Sequence, residues 1–130
     1  MKAISLSQPY ASLVASGKKT IETRTWATKY RGPILICASQ NVERWDDNTN
    51  DWMPCGVALA TATIVNCRPM TIADEAAACC KIYPKAVAWE LVDTKPLEKP
   101  FPVKGKLGVF DVDVQVPVPF EAPKEDLNHS

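Results

Sequence analysis

The chain of 130 residues predicts an α+β protein that is mainly β: a small barrel of about six strands with short helices on its flank. Three observations point there. Alternating or β-branched runs recur, as in GVALATATIVNC at 56–67 and LGVFDVDVQV at 107–116. The helical periodicities are short, each bounded by turn residues. A length of 130 residues fits one core.

Residues 2–7 form the first expected strand, with Ile4 and Leu6 on one face. Pro9 suits the first turn of a helix, where its missing N–H costs nothing. Tyr10, Leu13 and Val14 give that helix one apolar face, and Gly17 ends it as the residue after the cap. Residues 19–25 make the second strand. After a polar turn, PILICA at 33–38 makes a fully apolar third. Residues 41–48 read as a helical turn carrying Trp45, and 47–54 as a polar loop carrying Trp52. Both tryptophans are expected to cover the core or a pocket. The long strand at 56–67 comes next. A helix at 71–81 follows, with Thr71 as its N-cap and Asp74 and Glu75 in its first turn. AVAWELV at 86–92 is a strand with Trp89 in the core, and 96–102 is a proline-broken edge segment. The alternating strand at 107–116 closes the set, with Val109 and Phe110 on opposite faces. Residues 1–116 are read as the domain. Residues 117–130 are read as a proline-rich, charged tail.

Formal net charge is zero, yet the charges are unevenly placed. Up to position 31 there are six cations (Lys2, Lys18, Lys19, Arg24, Lys29, Arg31) and a single acid, Glu22. A basic first third suggests a local anion site and not a polyanion-coating surface. No apolar run approaches the ~20 residues that a bilayer span requires, so no membrane role is expected. Five cysteines, an odd number with no CxxC pair, point to a reducing, cytoplasmic setting. The single histidine, His129, lies in the tail, which excludes Ser-His and Cys-His nucleophilic pairs and His-based metal sites. No cofactor or metal is expected. Acid–base chemistry therefore falls to Glu, Asp, Lys, Tyr or Cys.

The candidates cluster at 17–31. Glu22 and Arg24 are two apart on a strand and share a face, with Trp26 next in line. Arg24 and Arg31 offer planar forks for a phosphate or a base edge. Trp26 and Tyr30 offer surfaces for stacking on a base. Gln8 and Glu22 can read base edges, and Lys19 and Glu22 form the candidate catalytic pair. The pleat sets a condition: Lys19 meets Glu22 only if it sits in the turn after Gly17 or at a bulge. An ordinary surface ion pair between them, worth ~0–1 kcal/mol, is the competing reading. KGKLG at 104–108 has the wrong glycine order for a phosphate loop and reads as surface charges at a turn.

The segment ISLSQPYASLVASGKKTIETRTW followed by YRGPILICAS resembles the ASCH domain family, a relative of PUA domains. The signature G-x-K-x-x-E-x-R is matched by Gly17, Lys19, Glu22 and Arg24. AVAWELVD and PVKGKLGVF resemble the family's closing strands, so the likeness covers roughly residues 2–116. It implies a small PUA-like β-barrel with the signature residues lining a cleft beside the first helix. It also implies RNA or related nucleic acids as ligands. One branch of the family resembles a ribonuclease. Another removes the acetyl group from an acetylated cytidine nucleoside, with a threonine three residues after the motif lysine as nucleophile. That position is Glu22 in this chain, so the route through threonine does not carry over.

Three functions follow as expectations. The first is a cleft that binds single-stranded RNA or a nucleotide. The second is a metal-independent hydrolase acting on RNA or an acylated nucleoside through Lys19 and Glu22. The third is a protein-interaction domain using the acidic, tryptophan-bearing loop at 43–53.

Overall fold

The computed structural model describes residues 1–40 and 44–114. Six strands form one curled half-barrel: β1 (Lys2–Leu6), β2 (Ile21–Arg24), β3 (Gly32–Ala38), β6 (Val57–Pro69), β7 (Val87–Pro102) and β8 (Val109–Asp111), in the order β2-β7-β6-β3-β1-β8. Strands β4 (Trp45–Asp46) and β5 (Asp51–Trp52) make a separate hairpin. Helix α1 (Tyr10–Ala15) packs on β1, β3, β6 and β7, while α2 (Glu75–Ala78) packs against β2. The curl has a local cause. The β6–β7 ladder slips at three places and β3–β6 at one. Each extra residue bends its strand and adds right-handed twist.

Why PILICA lacks polar residues is now visible. Ile34, Ile36 and Ala38 enter one core with Ile4, Leu6, Val14, Ile64 and Trp89. Leu35 and Cys37 enter a second, with Ala3, Leu97 and Phe110. Strand β3 lies between β1 and β6 and is buried on both faces, where alternation has no purpose. Burial pushes the Cys37 thiol up to about 12. Val109 and Phe110 do part to opposite faces, one against each core.

Several expectations change. Residues 44–52 are not a helical turn and a loop. Asp46 Oδ1 accepts the Asn48 N–H at 2.9 Å and Asn50 takes a positive φ of 54°, which turns the chain into the β4–β5 hairpin. Its tryptophans meet edge to face at 5.4 Å and stay 46% and 56% exposed, so they do not cover the core. The helix expected at 71–81 is a 3-10 turn at Ile72–Asp74 followed by α2, stopped by Cys79 in the left-handed region. Residues 87–102 are one strand, not two, although the proline-bearing stretch pairs only with β6. The closing strand begins at Val109, and residues 104–108 form a loop. Asn41, Val42 and Glu43, the last two positions of the expected strand at 107–116 and the expected tail at 117–130 lie outside the described residues. No described helix is long and apolar enough to cross a membrane.

Candidate functional site

Gly17 adopts φ +82°, a conformation that favours glycine. The chain reverses there: the Gly17 N–H donates to Val14 O and the Lys19 N–H to Leu13 O. That reversal keeps Lys19 out of β2, so the pleat no longer turns it away from Glu22. The Lys19 ammonium lies 3.6 Å from Glu22 Oε1, donates to Ala78 O at 2.5 Å and stands 5.2 Å over the Tyr10 ring centre. It is 1% exposed. A second tie, from the Thr20 N–H to Ala77 O at 2.9 Å, holds the turn to α2.

Glu22, 7% exposed, faces its cross-strand partner Trp89. Its Oε1 also accepts the Thr23 N–H at 2.9 Å. Its Oε2 accepts from Arg24 Nε at 3.2 Å and lies 3.0 Å from Arg24 Nη2 as an ion pair. The carboxylate thus accepts two hydrogen bonds and has a cation beside each oxygen. Arg24 Nη2 donates further to Ser5 O at 2.9 Å. The guanidinium is pinned from two directions, and Nη1 makes no hydrogen bond to the described residues. This is not the loose surface pair of the competing reading.

These groups line one wall of a cleft of about 780 Å³, within the usual range of ~300–1,000 Å³ for ligand sites. The end of β1, with Ser5 and Ser7, and Tyr10 of α1 form another part of the wall. Cys80 and Tyr83, after α2, form a third, and the loop at 104–108 completes the rim. Thr23 also reaches the wall, with its Oγ1 3.7 Å from Cys80 Sγ.

Four sequence candidates stand outside this lining. Gln8 is buried, its Nε2 donating to Ser12 Oγ and Pro54 O and its Oε1 accepting the Ser12 N–H, so it caps α1 and ties down the segment before β6. Tyr30 donates its hydroxyl to Pro33 O and packs on the core. Arg31 turns its Nη1 to Thr28 O and Tyr30 O. Trp26 lies just beyond the rim. It packs edge to face on Trp89 at 5.0 Å, and its carbonyl accepts the Trp89 indole N–H at 3.0 Å. Sequence reasoning missed Tyr10 as lining because it read as part of the apolar face of α1, and missed Tyr83, Lys104 and Lys106 because the β8–β1 pairing and the turn after α2 bring them in from far along the chain.

A second polar cluster lies elsewhere. Arg68 grips both oxygens of Asp74 at 2.7 and 2.8 Å and reaches Glu90 Oε1 at 2.7 Å. The Arg68 hydrogen bonds, followed by the Thr71 N–H, hold the Asp74 carboxyl well below the usual carboxylate range. The hydrogen bonds to Asp74, then to Glu90, in turn raise Arg68. This cluster splices β6, β7 and the 3-10 turn.

A curled half-barrel with a lysine, a glutamate and an arginine at the mouth of its first helix defines a small β-fold with a polar cleft. The model of the ASCH domain matches residues 4–101, and the chain belongs to the ASCH domain family. Among solved structures, ASCH from Zymomonas mobilis is similar, with 19% identity, a TM-score of 0.56 and coverage of 79% of this chain and 72% of that one. A mutant form of that protein gives 19% identity and a TM-score of 0.53, over 78% and 74% of the two chains. At that identity the likeness concerns the fold. No curated protein matches the chain.

Proposed function

We propose that the cleft binds a single-stranded RNA segment or a nucleotide. The observation that carries this reading is Arg24: a guanidinium held rigid by Glu22 and Ser5, with Nη1 unpartnered among the described residues, in a cleft wall. A pre-oriented planar donor suits a phosphate or a base edge. Tyr10 and Tyr83 supply rings for stacking, and Trp26 is reachable past the rim. Zero net charge implies modest affinity that falls with salt. The test is fluorescence anisotropy of a short labelled single-stranded RNA at low salt, with wild type, Arg24→Ala and Arg24→Lys. Binding that weakens in both variants and with added salt supports the reading. Equal binding by all three, or none by the wild type, refutes it.

The alternative is a metal-independent hydrolase of RNA or an acylated nucleoside. The buried Lys19–Glu22 pair beside an open cleft favours it. Glu22, however, sits between the Lys19 and Arg24 cations, and protonating it would give up both ion pairs, which opposes its use as a base. Lys19→Ala separates the two: a catalyst loses turnover, whereas a binder loses only part of its affinity.

A further inference from the structure

We infer that the loop at 104–108, together with Ser5, forms a phosphate subsite, so that the ligand is a phosphomonoester and not a bare nucleoside. This rests on the reading of the cleft as a nucleotide site. Three observations carry it. First, the five N–H groups of residues 104–108 make no hydrogen bond to the described protein. Successive free amides in one loop make an anion-binding concavity. Second, Lys104 and Lys106 are exposed on the cleft rim, free of ion pairs among the described residues, and positions 104–108 hold no acid to neutralise them. Third, Ser5 Oγ is buried without a hydrogen-bond partner, and it faces Gly105 closely enough that a Cβ there would stand 2.5 Å from it. Glycine at 105 is thus the residue that lets the loop close on Ser5.

A buried hydroxyl without a partner is costly, and the loop beside it adds two ammonium groups and five N–H donors. Phosphate oxygens are the complementary acceptors: each takes several hydrogen bonds, and the two lysines balance the charge. The loop is no Walker-type motif, since its two glycines are only three apart with Lys106 between them, and strand β8 follows it. The subsite instead works from the rim, with the base directed at Arg24 and the tyrosines.

The experiment is calorimetric titration of the full chain with ribonucleosides, their 5′- and 3′-monophosphates, and a short RNA bearing either a 5′-phosphate or a 5′-hydroxyl. Monophosphates are expected to bind at least about tenfold more tightly than nucleosides, the worth of one charge-assisted hydrogen bond. That preference should collapse in the Lys104→Gln/Lys106→Gln double variant and in Ser5→Ala, and weaken in Gly105→Ala. A preference shared by the phosphorylated RNA assigns the phosphate to an RNA end, and one confined to the monomers assigns it to a free nucleotide; both support the subsite. Nucleosides and monophosphates bound equally by the wild type would overturn the inference while leaving the cleft a nucleoside site. A preference that survives the double lysine variant would overturn it as well. No binding of any probe removes both readings.

Discussion

Removing the charge of Glu22 should destabilise the fold more than removing that of Lys19, although the two form one pair. Glu22→Gln leaves an ammonium 1% exposed without its countercharge, with only neutral groups such as the Ala78 carbonyl and the Tyr10 ring around it. Stranding one partner of a buried ion pair costs about 3–5 kcal/mol. Lys19→Met instead leaves Glu22 with Arg24 and the Thr23 N–H, and what is orphaned is the neutral Ala78 carbonyl. That costs about 1–3 kcal/mol. Taking about 2 kcal/mol per molar as the urea slope for a small domain, the Gln variant should lose roughly 1.5–2.5 M in midpoint and the Met variant roughly 0.5–1.5 M. The double variant should lose less than the sum, by about 1–3 kcal/mol, because the stranded ammonium is then gone. Urea unfolding followed by tryptophan fluorescence reads all four proteins. A Met variant weaker than the Gln variant, or strict additivity, would refute the account of Lys19 as a buried charge that depends on Glu22.

Other consequences are open to measurement. Trp89→Phe keeps a ring in the core but leaves the Trp26 carbonyl without its donor; a loss of about 1–3 kcal/mol is expected in chemical denaturation. Because Asp74 has its carboxyl depressed in the fold, its stabilisation is complete above its ordinary value of 3.8 and drains away as pH falls further. Wild type should accordingly lose midpoint more steeply than Asp74→Asn in urea titrations taken from pH 5 down to pH 2, and parallel curves would contradict that. Cys37, buried and raised to about 12, should resist a maleimide at pH 8 in the native state. Cys80, on the cleft wall, should label and be shielded by bound RNA, as peptide mapping by mass spectrometry would show.

Much of the scaffold was legible because hydrophobic pattern reports burial directly. PILICA, the alternation at 56–67 and the core tryptophan at 89 all specify how many faces a strand hides. Gly17, Lys19, Glu22 and Arg24 could be read from spacing once the turn at Gly17 was allowed for. What stayed hidden depended on contacts between distant segments. Nothing local shows that KGKLG closes on Ser5, since that approach comes from an antiparallel pairing across the chain. Gln8, Tyr30 and Arg31 stand outside the lining for the opposite reason. They have the right chemistry near the motif, but short hydrogen bonds to their own neighbours consume it. The β4–β5 hairpin did have a signal, the DDNTND run between two tryptophans, which is turn chemistry flanked by strand formers.

The pairing of β1 with β8 continues past the strands. The Met1 ammonium donates to Val112 O and the Val112 N–H donates back to Met1 O at 2.9 Å. Residues 111 positions apart are thereby buttoned face to face, and the stretch between them is nearly a closed ring. A unit of that shape can be spliced into a surface loop of a host protein with little distortion, entering and leaving through one doorway. It also suits circular permutation, with a short bridge across the seam and new ends cut at the exposed tip of the β4–β5 hairpin.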